Sequence, residues 1–352
     1  MMQLQEICSL FDISAGDISL LSGGIINSTY RVKSVSGDYL LQKINTAVFP
    51  RPAELMENIL RVTTHLRSQG EQTLHFLPTR AGRFWACVEG EYWRMCDFLP
   101  SKTYDKITRE DLGVATGRAF GRFQAKLATL DSRQLYETIP DFHNTRWRFQ
   151  QLEDAIAADP VGLAQQVQPE IDFLRTVRDR ACTLTDLQQA GKLPLRVTHN
   201  DAKIGNVLFR PDGSLVVIDL DTVMPGLAAH DFGDAIRSGA NTVAEDCPDW
   251  QQAHVNMEVF RSFARGFLAE TADTLTPPEL DTLALGSLAL TAEQAARFLA
   301  DYILGSPYYQ IAYPEHNLVR TRCQIALAKD LLAHMEELEA IVRSCAEKKG
   351  SI

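Results

Sequence analysis

Hydrophobic and polar positions change rhythm once along this chain. Between residues 17 and 100 they roughly alternate in short runs rich in β-branched and aromatic side chains: DISLLSG, STYRVKSV, DYLLQKIN, TLHFLPT, RFWACVE and EYWRMCDF. A period near two predicts strands. Short turns separate the runs, among them Ser36-Gly37-Asp38 and a glycine, Gly90, between two glutamates. Neighbouring strands are therefore expected to pair antiparallel. One helical stretch interrupts them, RPAELMENILRVTTHLRSQG: Pro52 suits its first turn, Leu55, Ile59, Val62 and Leu66 share a face, and Gly70 ends it.

After residue 100 the spacing becomes helical. Thr108 with Asp111 reads as a capping box that opens REDLGVATGRAFGRFQAKLATL, with Leu112, Phe120, Phe123 and Leu127 turned to a core. Further helices are expected near 148–158, 166–190, 250–270, 277–300 and 319–347. Residues 195–221 differ: an apolar entry, a polar loop, VLF, a Pro-Asp-Gly turn and LVVIDL predict strand, loop and strand. The pattern predicts an α+β fold, with a small antiparallel β domain and one helix over 1–98 and a larger, mainly helical domain over 99–352.

The formal net charge of −10, with no basic run, argues against a phosphate-backbone-binding surface, so no nucleic-acid partner is expected. The first residues lack a basic head and an apolar run, and no stretch nears about 20 uninterrupted apolar residues. The expectation is a cytoplasmic protein with no membrane contact. Seven scattered cysteines without a C-x-x-C pair fit free thiols better than disulfides or a zinc site.

Chemistry concentrates in VTHNDAKIGNVLF and VVIDLDTVMPG. His199, Asp201, Lys203 and Asn206 obey H-x-D-x-K-x-x-N. Phosphoryl transfer needs a carboxylate to orient a hydroxyl and accept its proton, hard oxygen ligands for a metal, and positive charge on phosphates. Asp201 fits the first role, Asn206 and Asp219 fit a magnesium site, and Lys203 fits the third. Asp221 is expected beside the metal. An aspartyl-phosphate hydrolase, with Asp219 as nucleophile, needs a later acidic G-D-x-x-x-D loop. Gly233-Asp234 is followed by Ser238 instead, and that reading also leaves 195–206 without a purpose. Asp231-Phe232-Gly233 spells a kinase metal motif but lacks a preceding apolar strand, so Asp219 is the better metal ligand.

HNDAKIGN and VIDLD resemble the catalytic and metal loops of the aminoglycoside phosphotransferase and choline kinase superfamily. The resemblance implies a protein-kinase-like, two-lobed fold acting on ATP with Mg²⁺, with Asp231 bracing the catalytic loop. More narrowly, IDLDTVMPGL, HDFGDAIRSGANT and RFLADYILGSPYY resemble the N-acetylhexosamine 1-kinase group, which implies phosphorylation of the anomeric hydroxyl of a sugar as the small-molecule substrate. Choline, homoserine or aminoglycoside kinases of the same fold, and a non-catalytic nucleotide-binding protein, are the alternatives. On the nucleotide side, Gly23 and Gly24 in LSGGIINSTYRV, with Asn27 and Thr29, suit a phosphate-approaching turn. Lys43 shares a strand face with Leu41 and stands at the position of the phosphate-pairing lysine, with Glu57 or Glu54 as partner. Adenine is expected along the backbone of Cys96–Leu99, at Asp97 and Leu99. The hexosamine group implies sugar contacts at Arg297 and Tyr308, both on one helix; Asp234 and Arg237 are further candidates. Ile25 and Ser306-Pro307 depart from that group near the acceptor.

Overall fold

A computed structural model describes residues 4–21 and 27–347. In chain order the first elements are α1 (Leu4–Leu10), β1 (Ala15–Leu20), β2 (Ser28–Ser34), β3 (Gly37–Ile44), α2 (Pro52–Ser68), β4 (Ala86–Val88) and β5 (Glu91–Asp97). Then come α3 (Glu110–Leu127), α4 (Thr145–Ala158), α5 (Gln168–Ala181), α6 (Thr183–Gln189), β6 (Arg196–Thr198), β7 (Val207–Phe209) and β8 (Leu215–Val217). The chain continues with α7 (Ala228–Gly239), α8 (Met257–Thr271), α9 (Pro277–Ile303), α10 (His316–Ala333) and α11 (Met335–Glu347). Two compact units result. One comprises Met1–Thr103, Thr129–Pro140 and Leu208–Pro225; the other comprises Tyr104–Ala128, Asp141–Val207 and Gly226–Ile352.

The first unit is built on an antiparallel sheet in the order β1-β2-β3-β5-β4. Glu89 and Gly90, at φ 51° and 83°, turn β4 into β5 with the left-handed pair of a tight hairpin. One sheet face carries Val32, Leu41, Trp93 and Met95 into a core shared with Ile7, Cys8 and Phe11 of the N-terminal segment. Helix α2 starts at Pro52 and stops at Gly70, φ 78°, where Gly70 N–H reaches Arg67 O at 3.0 Å and Glu71 N–H reaches Leu66 O at 3.0 Å. That closure satisfies two of the orphan carbonyls of a helix end. TLHFLPT, expected as a strand, makes only one bridge, Phe76 to Cys96. The short helix α1 was not anticipated.

The second unit is helical. Leu112, Phe120, Phe123 and Leu127 of α3 are buried as the periodicity predicts. The expected Thr108 capping box is absent: α3 begins at Glu110 with no side-chain cap, and Arg109 engages Asp111 at 3.1 Å instead. Gly113, Gly117 and Gly121 form a seam along α3 that lets α8 approach to backbone contact. A Cβ on Gly117 would lie 2.2 Å from the carbonyl oxygen of Phe263. Since backbone cannot swing aside, Gly117→Ala is expected to lower the unfolding free energy by about 1–3 kcal/mol. Urea denaturation followed by circular dichroism checks this; an unchanged midpoint would mean that the two helices separate without cost.

Among the described residues no helix is long and apolar enough to cross a membrane. All seven cysteines are free; burial pushes the thiols of Cys8, Cys182 and Cys323 up to about 11 and that of Cys96 up to about 12.

Candidate active site

In the second unit, β6 delivers the chain to a loop whose shape is over-determined. Asn200 lies in the left-handed region at φ 63°, which asparagine tolerates better than most residues. Thr198 Oγ1 donates to Asn200 Oδ1 at 3.0 Å. Asp231, fully buried on α7, accepts from the backbone N–H of His199 at 3.0 Å, from that of Asn200 at 2.7 Å, and from Gln124 Nε2 at 2.7 Å. Burial drives the Asp231 carboxyl upward from its ordinary range, and these donors only partly offset it. The neighbours of Asp231 confirm a bracing place: Phe232 packs edge-on against Phe260, Phe263 and Phe267, and a Cβ on Gly233 would meet Gly286 O at 2.3 Å. The DFG triplet is therefore the middle of a packed helix.

A second support reaches Asn200 from His143. Its Nε2 lies 2.9 Å from Asn200 O and its Nδ1 2.9 Å from Glu293 Oε1, while Thr145 Oγ1 donates to Glu293 Oε2 at 2.9 Å. Two acceptors on two ring nitrogens require an imidazolium. Burial alone would lower the His143 pKa, but the Glu293 carboxylate outweighs it and raises it. Glu293 is held low by the same pairing against its own burial. Sequence reasoning missed both residues; they are 150 positions apart and carry no local signature.

Asp201 follows directly. Lys203 Nζ donates to its Oδ2 at 2.8 Å, and Asn206 Nδ2 donates to its backbone oxygen at 2.9 Å and to Oδ2 at 3.1 Å. Desolvation would raise the Asp201 pKa, but Lys203, His199 and Asn206 together hold it below the usual carboxylate range. The result is an ionised, oriented carboxylate. With Nδ2 spent on Asp201, the hard Oδ1 of Asn206 is the end of that amide suited to a cation.

The acids of VIDLD lie in the first unit. Asp219 sits at φ 59°, ψ 56°, a left-handed aspartate opening a single helical turn. Non-glycine residues held there cost about 1–3 kcal/mol and cluster at functional sites. Asp221 is buried and has other duties than a metal: Oδ1 meets Arg94 Nη1 at 2.5 Å, Oδ2 accepts from Asn27 Nδ2 at 2.6 Å, and its backbone oxygen accepts from Thr138 at 3.3 Å. Each carboxylate oxygen of Asp221 thus has a partner, one a cation and the other an amide. Burial would lower the Arg94 pKa, but Asp221 outweighs it and raises it.

The expected Lys43–Glu57 pair is overturned. Lys43 shares the face of Leu41, which is packed against the α1 core, and its ammonium pairs with Glu91. Glu57 faces Arg61 at 3.8 Å and Glu54 faces Arg51 at 2.7 Å. The opposite sheet face holds Thr29, Gln42 and Arg94. Gln42 Nε2 donates to Thr29 Oγ1 at 3.0 Å, and Arg94 Nε donates to Gln42 Oε1 at 3.0 Å. Gly23 and Gly24 lie outside the described residues. At Cys96–Leu99, the amides of Asp97 and Phe98 already donate to His75 O and Asp38 O, and the Leu99 carbonyl accepts from Ser101.

Of the acceptor candidates, Arg237 pairs with Asp234 and Glu245. Asp234 Oδ2 is buried and has no partner among the described residues. Arg297, on α9, lies over Phe142 and Tyr309 at 5.5 and 5.8 Å to the ring centroids. Tyr308 is not on that helix, which ends at Ile303, but in the loop beyond it, and the residue is 65% exposed. Asp301 fixes that loop by accepting from the amides of Tyr308 at 2.9 Å and Tyr309 at 3.0 Å. Asp301→Ala is expected to raise the acceptor KM about tenfold with kcat changed less. Steady-state kinetics check it, and an unchanged KM would remove the loop from acceptor binding.

The comparisons bear on family and fold. The family model of the phosphotransferase enzyme family matches residues 17–270. Three solved structures show the same protein-kinase-like fold. An aminoglycoside phosphotransferase from Alicyclobacillus acidocaldarius is 12% identical, with 98% of this chain and 97% of that one covered at a TM-score of 0.67. A microcompartment-associated aminopropanol kinase is 19% identical, with coverages of 96% and 98% and a TM-score of 0.65. A spectinomycin phosphotransferase, solved with ADP and spectinomycin, is 15% identical, with coverages of 94% and 98% and a TM-score of 0.59. With more than half its length matched, the chain belongs to the phosphotransferase enzyme family.

Proposed function

We propose that this protein is a small-molecule kinase that moves the γ-phosphoryl group of ATP to a hydroxyl, with the anomeric hydroxyl of an N-acetylhexosamine or a related sugar as the acceptor. The observation that carries the reading is the ionised Asp201, aligned by Lys203 and Asn206 on a loop that Asp231 and His143 hold rigid. Such a carboxylate accepts the hydrogen bond of an attacking hydroxyl and takes its proton as the new oxygen–phosphorus bond forms and the bond from the γ-phosphorus to ADP breaks. Lys203 offsets charge on the migrating group, so catalysis is positioning plus electrostatics. Asn206 Oδ1 and Asp219 each offer a hard oxygen of the kind that would hold Mg²⁺. When bound, the metal neutralises phosphate charge.

A second reading, an amino-alcohol or amino-sugar acceptor, is favoured by one observation, the unpartnered Asp234 Oδ2, which suits an ammonium group. ADP release from Mg-ATP across N-acetylhexosamines, other sugars, aminoglycosides, choline and homoserine separates the two. Phosphorus NMR then locates the new phosphate. An anomeric phosphate on an N-acetylhexosamine supports the first reading; turnover of amines alone replaces it with the second; no turnover with any acceptor counts against a kinase.

A further inference from the structure

We infer that Arg94 of β5, not a lysine of β3, is the cation that binds the nucleotide phosphates, with Asp221 as the carboxylate that aligns it. The inference rests on the proposed kinase function and names a residue of the same reaction. Phosphate binding needs a fixed positive charge close to the metal ligand and the glycine turn. In the first unit, the lysine on β3 is on the wrong face: Lys43 stands opposite Trp93 and Ser28, with Leu41 on its own face in the α1 core. One residue earlier, Gln42 occupies the face that meets Arg94, and an amide there brings no charge.

Three features place Arg94 for the task. It is only 3% exposed yet keeps its charge through the ion pair with Asp221, two positions along the chain from Asp219, and it feels the Asp219 charge as well. The other oxygen of Asp221 holds Asn27, whose Oδ1 in turn accepts from Asn45 N–H at 2.9 Å. One carboxylate therefore ties together the cation, the segment of Asp219 and Asn27. Finally, Nε and Nη1 of Arg94 are fixed by Gln42 and Asp221, whereas Nη2 has no hydrogen-bond partner among the described residues. Helix α2 offers Arg94 a thioether, Met56 Sδ at 4.0 Å, instead of a carboxylate.

Titration calorimetry with Mg-ATP and with adenosine tests it on the full chain. Arg94→Lys is expected to weaken Mg-ATP binding tenfold or more and to leave adenosine within about twofold, while Lys43→Met changes neither. Moving the charge to its cross-strand neighbour, in Gln42→Lys with Arg94→Met, is expected to restore part of the ATP affinity. The double variant also serves if Arg94→Lys does not fold. Equal losses for ATP and adenosine, or a selective ATP loss in Lys43→Met, overturn the inference and leave the kinase reading standing. Wild-type protein that binds neither ligand overturns both.

Discussion

Asp201→Asn is expected to lower kcat for phosphoryl transfer by a factor of about 10²–10⁴ while Mg-ATP affinity stays within about twofold. Asparagine keeps the size of the side chain and an oxygen that Lys203 and Asn206 can reach, so the loop should survive. It loses the charge that orients the hydroxyl and the site that receives its proton. Asp201 is held low in pKa by Lys203, His199 and Asn206, so its base form persists well below neutrality. The activity that depends on it should fall only in acid, as the carboxylate protonates. ADP release with a responsive acceptor, beside calorimetric titration of ATP, gives both readouts. Equal activity in the variant would remove Asp201 from catalysis and favour a nucleotide-binding protein without turnover. Loss of ATP binding together with activity would instead show that the substitution had disturbed the loop.

The part of the site that could be read in advance was the part encoded locally. His199, Asp201, Lys203 and Asn206 fall within one loop, so their spacing reports their proximity. The strands were legible from alternation, but alternation does not say which face meets the acids. In β3, Leu41 is fully buried on one face and Ile44 on the other, so apolar content could not choose between Lys43 and Gln42. The Arg94–Asp221 pair spans 127 positions and had no local mark. Helix α7 was missed for a different reason. Nearly every residue of AAHDFGDAIRSG is buried, so no polar stripe exposes the helical period.

Breaking the buried pair beneath Asn200 should be the largest stability effect in the second unit. Glu293→Ala is expected to lower the unfolding free energy by about 3–5 kcal/mol, since it leaves the His143 imidazolium and the Thr145 hydroxyl buried without their acceptor. The isosteric Glu293→Gln separates charge from packing through pH. His143 has its folded pKa raised above the ordinary 6.5, so its contribution is complete below 6.5 and lost as pH rises through the folded value. Glu293 has its folded pKa lowered below 4.5, so its contribution is complete above 4.5 and lost as pH falls through the folded value. Asp234 adds to the first shift, and Arg297 and Arg148 add to the second. Nearby His230 is pushed down to about 3 by burial and by the charge of His143, so it stays neutral through this window. The deficit of Glu293→Gln against wild type should therefore be widest between about pH 4.5 and 6.5 and should narrow above it. Urea unfolding across that range measures it. A deficit independent of pH would mean that the pair acts through packing alone. Since His143 also holds the carbonyl of Asn200, kcat should fall in the same variant even where the protein remains fully folded. A variant with normal kcat would show that Asp231 alone suffices to hold the loop that presents Asp201.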